Sequence, residues 1–192
     1  MLDIETHDDA TPAPGDLEIL QRFANLHEHD AEGRTVVAPP EMVRGFLVER
    51  GLLEPDAPYT EQDHRMALRL TTAFRALVLA DEDHPLPPEE AATIDSASEA
   101  AGLHPHFAYG APVLVPAEGG AAGAFGRLVA IAFLAQFDGT WSHLKQCADE
   151  ECRALFYDRS RNHSGRWCSM SACGNRAKVR AWRERQREHD DA

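Results

Sequence analysis

No cysteine lies outside residues 147–173, where all four of the chain's cysteines are gathered. Disulfide stapling of the rest of the chain is therefore excluded. The first residues are acidic and lack an apolar core, so no secretory or transit segment is expected. No apolar run reads as long and charge-free enough to cross a bilayer, and no membrane partner is expected. Chemistry-bearing patterns are scarce as well. There is no nucleophile paired with a base, no distinctive pair of carboxylates and no cofactor motif. The glycine-rich stretch 118–123 lacks the Lys-Ser/Thr of a phosphate loop. No internal repeat is evident. An enzyme is not expected; one housed in the larger part of the chain would need measured turnover to support it.

What is present is uneven in charge. The net charge is −13, which taken whole argues against a polyanionic partner. Residues 141–187, however, carry eleven Lys or Arg against five Asp or Glu. Residues 1–140 carry eight basic and twenty-four acidic side chains. An acidic body with a basic end suggests two functions on one chain. A length of 192 residues suits one medium domain and one small one.

The larger part reads as mainly α. Residues 1–15 are acidic and without periodicity, and are expected to be a disordered tail. From Asp16 a first helix places Leu17, Leu20, Phe23, Ala24 and His27 on one face. His27 and His29, with Glu28 and Asp30, read as a solvated helix end rather than a metal cluster. Residues 33–40 read as a loop, and Pro39-Pro40 opens a short helix bearing Met42, Val43, Phe46 and Leu47. Thr60 and Asp63 suggest a capping box for a long helix to about residue 80. Pro87-Pro88 opens another, to about residue 101. Residues 106–109 and 113–115 read as a small β-hairpin. A helix over about 122–136 is apolar nearly all round and belongs in the middle of the domain. Trp141 and Leu144 would fasten the C-terminal part of the chain to this body.

The cysteines are symmetric. Cys147 and Cys152 have four residues between them, as do Cys168 and Cys173, and fifteen separate the pairs. Two short hooks joined by a hairpin-sized insert supply four thiolates to one Zn²⁺. Spacing of C-x4-C in place of C-x2-C and the alternative of two disulfides leave that reading to be tested. His143 and His163 are close enough in sequence to substitute as ligands. Leu155-Phe156-Tyr157 reads as one hairpin strand and Arg166-Trp167 as the return, followed by a helix over about 176–187. Hook, hairpin, hook and helix make a treble-clef-like finger over residues 141–188, behind a helical domain over 16–140.

The run Cys152-Arg153, Phe156-Tyr157-Asp158-Arg159-Ser160-Arg161-Asn162, Arg166-Trp167-Cys168-Ser169-Met170 and Cys173-Gly174-Asn175-Arg176-Ala177-Lys178 closely resembles the CGNR zinc finger. That family is named after the tetrapeptide found here at Cys173–Arg176. In it the finger follows a helical domain called ABATE, proposed to belong to stress-induced bacterial transcription regulators. The resemblance implies structural zinc at Cys147, Cys152, Cys168 and Cys173, and DNA binding by the finger. Phe23-Ala24-Asn25-Leu26 resembles the ABATE segment Asp-Phe-x-Asn-Thr with its Asp and Thr replaced. Arg75 resembles that family's recurrent helical arginine. Asn25 and Arg75 are thus candidates for an effector pocket.

A turn of about 100° per residue puts Arg176, Arg180, Arg183 and Arg187 on one helical stripe. Val179 and Trp182 would then point toward the hairpin or the body. Four phosphate contacts would give a slope of log K against log salt of roughly −3 to −4. Arg153, Arg159, Arg161, Arg166 and Lys178 extend the patch, and Asp158 is an expected partner of Arg159 or Arg176. The expected partners are DNA, an unidentified small effector and a second copy of the chain, in a cytoplasmic setting. The alternative is a zinc module that binds RNA or another protein.

Overall fold

A computed structural model describes residues 10–29, 35–107 and 112–190. Helices α1 (Leu17–Ala24), α2 (Pro40–Glu49), α3 (Glu61–Leu79), α4 (Pro88–Ala101) and α5 (Gly120–Phe137) build the body. Helix α6 (Asn175–Asp190) belongs to the finger. Short strands pair as three antiparallel hairpins: β1 (His27–His29) with β2 (Thr35–Val37), β3 (His104–His106) with β4 (Val113–Val115), and β5 (Leu144–Gln146) with β6 (Leu155–Tyr157). The architecture is mainly α with a C-terminal finger, as the sequence suggests.

Local chemistry sets the helix ends. Pro40 and Pro88 stand in the first turn, where a missing N–H costs nothing. Asp63 N donates to Thr60 Oγ1 at 3.2 Å while Thr60 N donates to Asp63 Oδ2 at 2.7 Å, the reciprocal cap read from the sequence. Gly102, at φ 59°, ends α4 in the left-handed region. The core forms where α1 meets α2, α3 and α5. Phe23 lies 6.3 Å from Phe74 edge-on and 6.2 Å from Phe46, and Leu20, Leu47, Leu70 and Leu128 are fully buried around them. Helix α5 is long and apolar enough to cross a membrane by length and composition, contrary to the sequence reading. Ten of its residues are nonetheless buried, against α1, α3 and α4. Gly126 is one of them, because a β-carbon there would come within 2.4 Å of Ala101 Cβ.

Five expectations need correction. Helix α1 stops at Ala24, so His27 is not on its face but in β1, paired with Val37. The partner strand is Thr35-Val36-Val37, whose β-branched residues favour extended backbone over the expected loop. Of the metal cluster considered at His27–Asp30, the structure describes only the backbone of residues 27–29, and Asp30 lies outside the described residues. The second hairpin begins at His104, and Tyr109 lies outside the described residues. The strand Leu155–Tyr157 does not pair with Arg166-Trp167. It pairs with Leu144–Gln146, ahead of the first hook, and Arg166 contributes one carbonyl, to Ala148 N at 2.8 Å. Finally, residues 10–15 are not an unstructured tail. Ala10 and Ala13 are buried, and Tyr157 N donates to Thr11 O at 2.9 Å. The outer edge of β6 needs backbone partners, and this segment supplies one. Residues 1–9 of the expected tail lie outside the described residues.

Candidate metal centre and nucleic-acid surface

The first hook is one tight turn between β5 and β6. Asp149 O accepts from Cys152 N and Arg153 N, both at 2.9 Å, and Cys147 N donates to Ala154 O at 2.8 Å. Arg153 closes the turn at φ 49°. The second hook is a π-helical turn, Met170–Gly174, that runs into α6. Ser169 Oγ accepts from Ala172 N at 3.4 Å, and Ser169 O from Gly174 N at 3.0 Å. Gly174 packs under Met170, where a β-carbon would meet the sulfur at 2.9 Å.

These turns bring Cys147, Cys152, Cys168 and Cys173 together, all buried, with their sulfurs within 4.8 Å of one another. Cys152–Cys168 and Cys168–Cys173 are each 3.5 Å apart. A disulfide needs about 2.0 Å, so the pairs are not bridged. Zn–S bonds of about 2.3 Å place tetrahedral sulfurs about 3.8 Å apart, which fits this cage. Neither His143 nor His163 belongs to it. Crowding makes the thiols poor acids on their own: Cys152 beside it and burial raise Cys168, and burial pushes Cys173 up to about 12. Such a set ionises around a cation. The finger therefore holds structural zinc, and four thiolates leave it no open position for water or substrate.

Around the cage lies a layer of charge that the sequence reading missed. Asp149, fully buried inside the first hook, accepts from Arg176 Nε at 2.9 Å and Arg180 Nη2 at 2.6 Å. Arg176 Nη2 also donates to Cys173 Sγ at 3.0 Å, stabilising that sulfur as a thiolate. Burial alone would raise the Asp149 carboxyl, but hydrogen bonds from Arg180 and Arg176 outweigh it and hold it below the usual range. The tetrapeptide at 173–176 now has a role for each residue: ligand, close packing, a bond from Asn175 Nδ2 to Ser171 O at 2.9 Å, and the double-ended Arg176. An acid inside the first hook and arginines spaced i, i+4 on the last helix were the available signal.

Asp158 does not pair with Arg159 or Arg176. It takes Lys145 Nζ at 2.7 Å, Gly165 N at 2.8 Å and Ser160 N at 2.9 Å, because the β5–β6 pairing sets Lys145 beside it. Burial would raise this carboxyl, and those donors together hold it well below the usual range. A depressed folded pKa contributes stability that is fully present above the unfolded value of about 3.9 and is lost only as pH falls below it. Asp158→Asn is thus expected to cost about 2–3 kcal/mol, equally at pH 8 and pH 5. Urea unfolding of the zinc-loaded protein checks this; a penalty that shrinks between those pH values would contradict it.

The other expected nucleic-acid contacts divide. Arg176 and Arg180 face inward on Asp149, and Arg180 also reaches Glu151 at 3.4 Å. Lys178, Arg183 and Arg187 are exposed on α6, as is Arg185, which the sequence reading passed over. Arg161 is exposed at the loop tip. Arg159 donates to Pro12 O at 3.0 Å, and Arg166 lies over Trp167 at 5.5 Å. Val179 and Trp182 do not turn toward the hairpin or body. They are 47% and 57% exposed, because α6 packs mainly on the π-helical turn.

Asn25 and Arg75, the candidates for an effector pocket, are brought together, and both bond to the finger. Asn25 Nδ2 donates to Leu155 O at 2.8 Å, and Leu155 N donates to Asn25 Oδ1 at 2.8 Å, so one side chain completes the edge of β6. Gln21 Nε2 adds a bond to Leu155 O at 3.1 Å. Arg75 donates to Ala24 O at 3.1 Å, to Asn25 Oδ1 at 3.3 Å and to Arg153 O. Leu144 and Leu155 are buried in the body's core with Trp141 beside them. Finger and body share one apolar interior here.

Two family models match the chain. One, described as "CGNR zinc finger", covers residues 143–186. The other, ABATE, described as "Putative stress-induced transcription regulator", covers residues 19–137. A comparison with curated proteins finds no match. The helical body, with the cysteine cage fastened to it through Asn25 and Arg75, coincides with those two models in order and extent, and the chain belongs to the ABATE family with a CGNR zinc finger at its C-terminal side.

Proposed function

We propose that this protein is a zinc-dependent, DNA-binding regulator of transcription that works in the cytoplasm. The observation that carries the reading is α6. It stands clear of the body with Lys178, Arg183, Arg185 and Arg187 exposed, and none of these has a carboxylate partner among the described residues. Guanidinium groups in that state suit phosphates, since each releases condensed counterions on binding. Family membership supports the regulatory role. The acidic body repels non-specific DNA and passes a signal, or an assembly contact, to the finger through Asn25 and Arg75.

Arg176 and Arg180 are already engaged by Asp149, so the stripe contributes Arg183 and Arg187 in full. With one hairpin arginine added, three phosphates are neutralised, and the slope of log K against log salt is expected near roughly −2.7 rather than −3 to −4. Anisotropy titrations on duplex DNA across salt, before and after chelation, test this. Binding indifferent to both salt and metal would end the reading.

A further inference from the structure

The finger carries a second concentration of chemistry on the loop after β6. Tyr157, His143 and His163 form a ladder of rings. His143 stacks on Tyr157 with centroids 5.1 Å apart and planes 16° apart, and His163 lies over His143 at 4.1 Å, tilted by 54°. Arg159 sits over Tyr157 at 5.9 Å. The ladder is fixed from beneath. His143 Nδ1 and Asp158 O are 3.1 Å apart, Lys145 donates to His163 O, and the buried Asp158 carboxylate ties both ends of the loop. His163 takes φ 49°, a left-handed backbone unfavourable for a residue with a β-carbon, and those bonds hold it there.

That loop leaves the ring and the charge at its tip uncompensated. Asp158 is the one carboxylate between residues 152 and 183, and Lys145 takes it. Arg159, Arg161, His163 and Arg166 are exposed, and Arg161 has no hydrogen bond or ion pair among the described residues. The His163 ring lies against His143 at a tilt, and the side chain is exposed. Cations interleaved with ring faces match a partner that is anionic and planar by turns, which is a nucleic-acid strand with bases out of their stack. A closed duplex offers the phosphates but hides the base faces.

We propose that the exposed ring of His163 receives an unpaired base of the bound DNA, with Arg161 on a flanking phosphate. Resting on the DNA-binding reading above, this site adds the state of the strand to it. Two single strands of equal length test it, one of thymidines and one of abasic units with the same phosphates. The zinc-loaded protein is expected to bind the thymidine strand at least about fivefold more tightly. His163→Ala should abolish that preference and leave the salt slope unchanged, and His163→Phe, which keeps a ring without a titratable nitrogen, should retain it. Zinc content verifies that each variant is folded. Equal, salt-sensitive affinity for the two strands overturns the base site and leaves DNA binding standing. So does a preference that survives His163→Ala or is lost in His163→Phe. Failure to bind either strand or duplex overturns both.

Discussion

Stripping zinc from this protein is expected to unfold most of residues 143–186 and to loosen the body with them. The buried cluster of the finger consists of Ala10, Ala154, Phe156 and the four cysteines, with Trp167 partly covering it. Without the ion, Phe156 is its one large buried apolar side chain, worth about 1.5–3 kcal/mol. Ordering dozens of residues costs about 1–2 kcal/mol each. A structural zinc site supplies an apparent ~10–16 kcal/mol, so the metal decides the outcome. The body suffers because Leu144 and Leu155 lie in its own core. Elemental analysis should give one zinc per chain. Chelation, or Cys168→Ser, should remove hydrogen-exchange protection from the finger and lower the thermal midpoint of the remainder. A metal-free protein whose finger amides stay protected would sink this account.

Asn25→Ala is expected to be the most damaging single change outside the cage. Leu155 is fully buried, and its N–H loses a partner in the variant while its C=O keeps only Gln21. Buried backbone groups left without good partners cost about 1–3 kcal/mol each, so a loss of roughly 2–5 kcal/mol is the expected result. For a chain of this size that is a fall of roughly 5–15 °C in thermal midpoint. Arg75 then loses one of its acceptors, which weakens its hold on the first hook. An effector-pocket residue would behave differently: its removal would spare stability and alter only a ligand response. A midpoint within about 2 °C of the unmutated protein would favour the pocket after all.

These two sites also show how far the sequence could be read. Cysteine spacing, the Thr60–Asp63 cap and the prolines that open α2 and α4 are local signals, and each lies where the sequence places it. The resemblance marked Asn25 and Arg75 as notable, yet what they do depends on Leu155 and Arg153, far along the chain. No periodicity encodes such pairings. The same holds for β6, whose partner was sought downstream and lies upstream, and for Asp149, which resembles any other acid until two arginines of α6 are seen to close on it. Exposure of Trp182 was illegible for a simpler reason: helical spacing tells which residues share a face, not whether anything packs on it.

The strip of chain at residues 10–13 has a practical bearing on anyone who would cut the protein in two. It donates a methyl group to the cysteine cluster through Ala10 and a carbonyl to β6 through Thr11. A fragment excised at the family boundary near residue 143 leaves both behind, together with the amide of Asn25. Such a piece would be a mutilated version of the finger rather than a portable one, and its behaviour in isolation would say little about its behaviour in place.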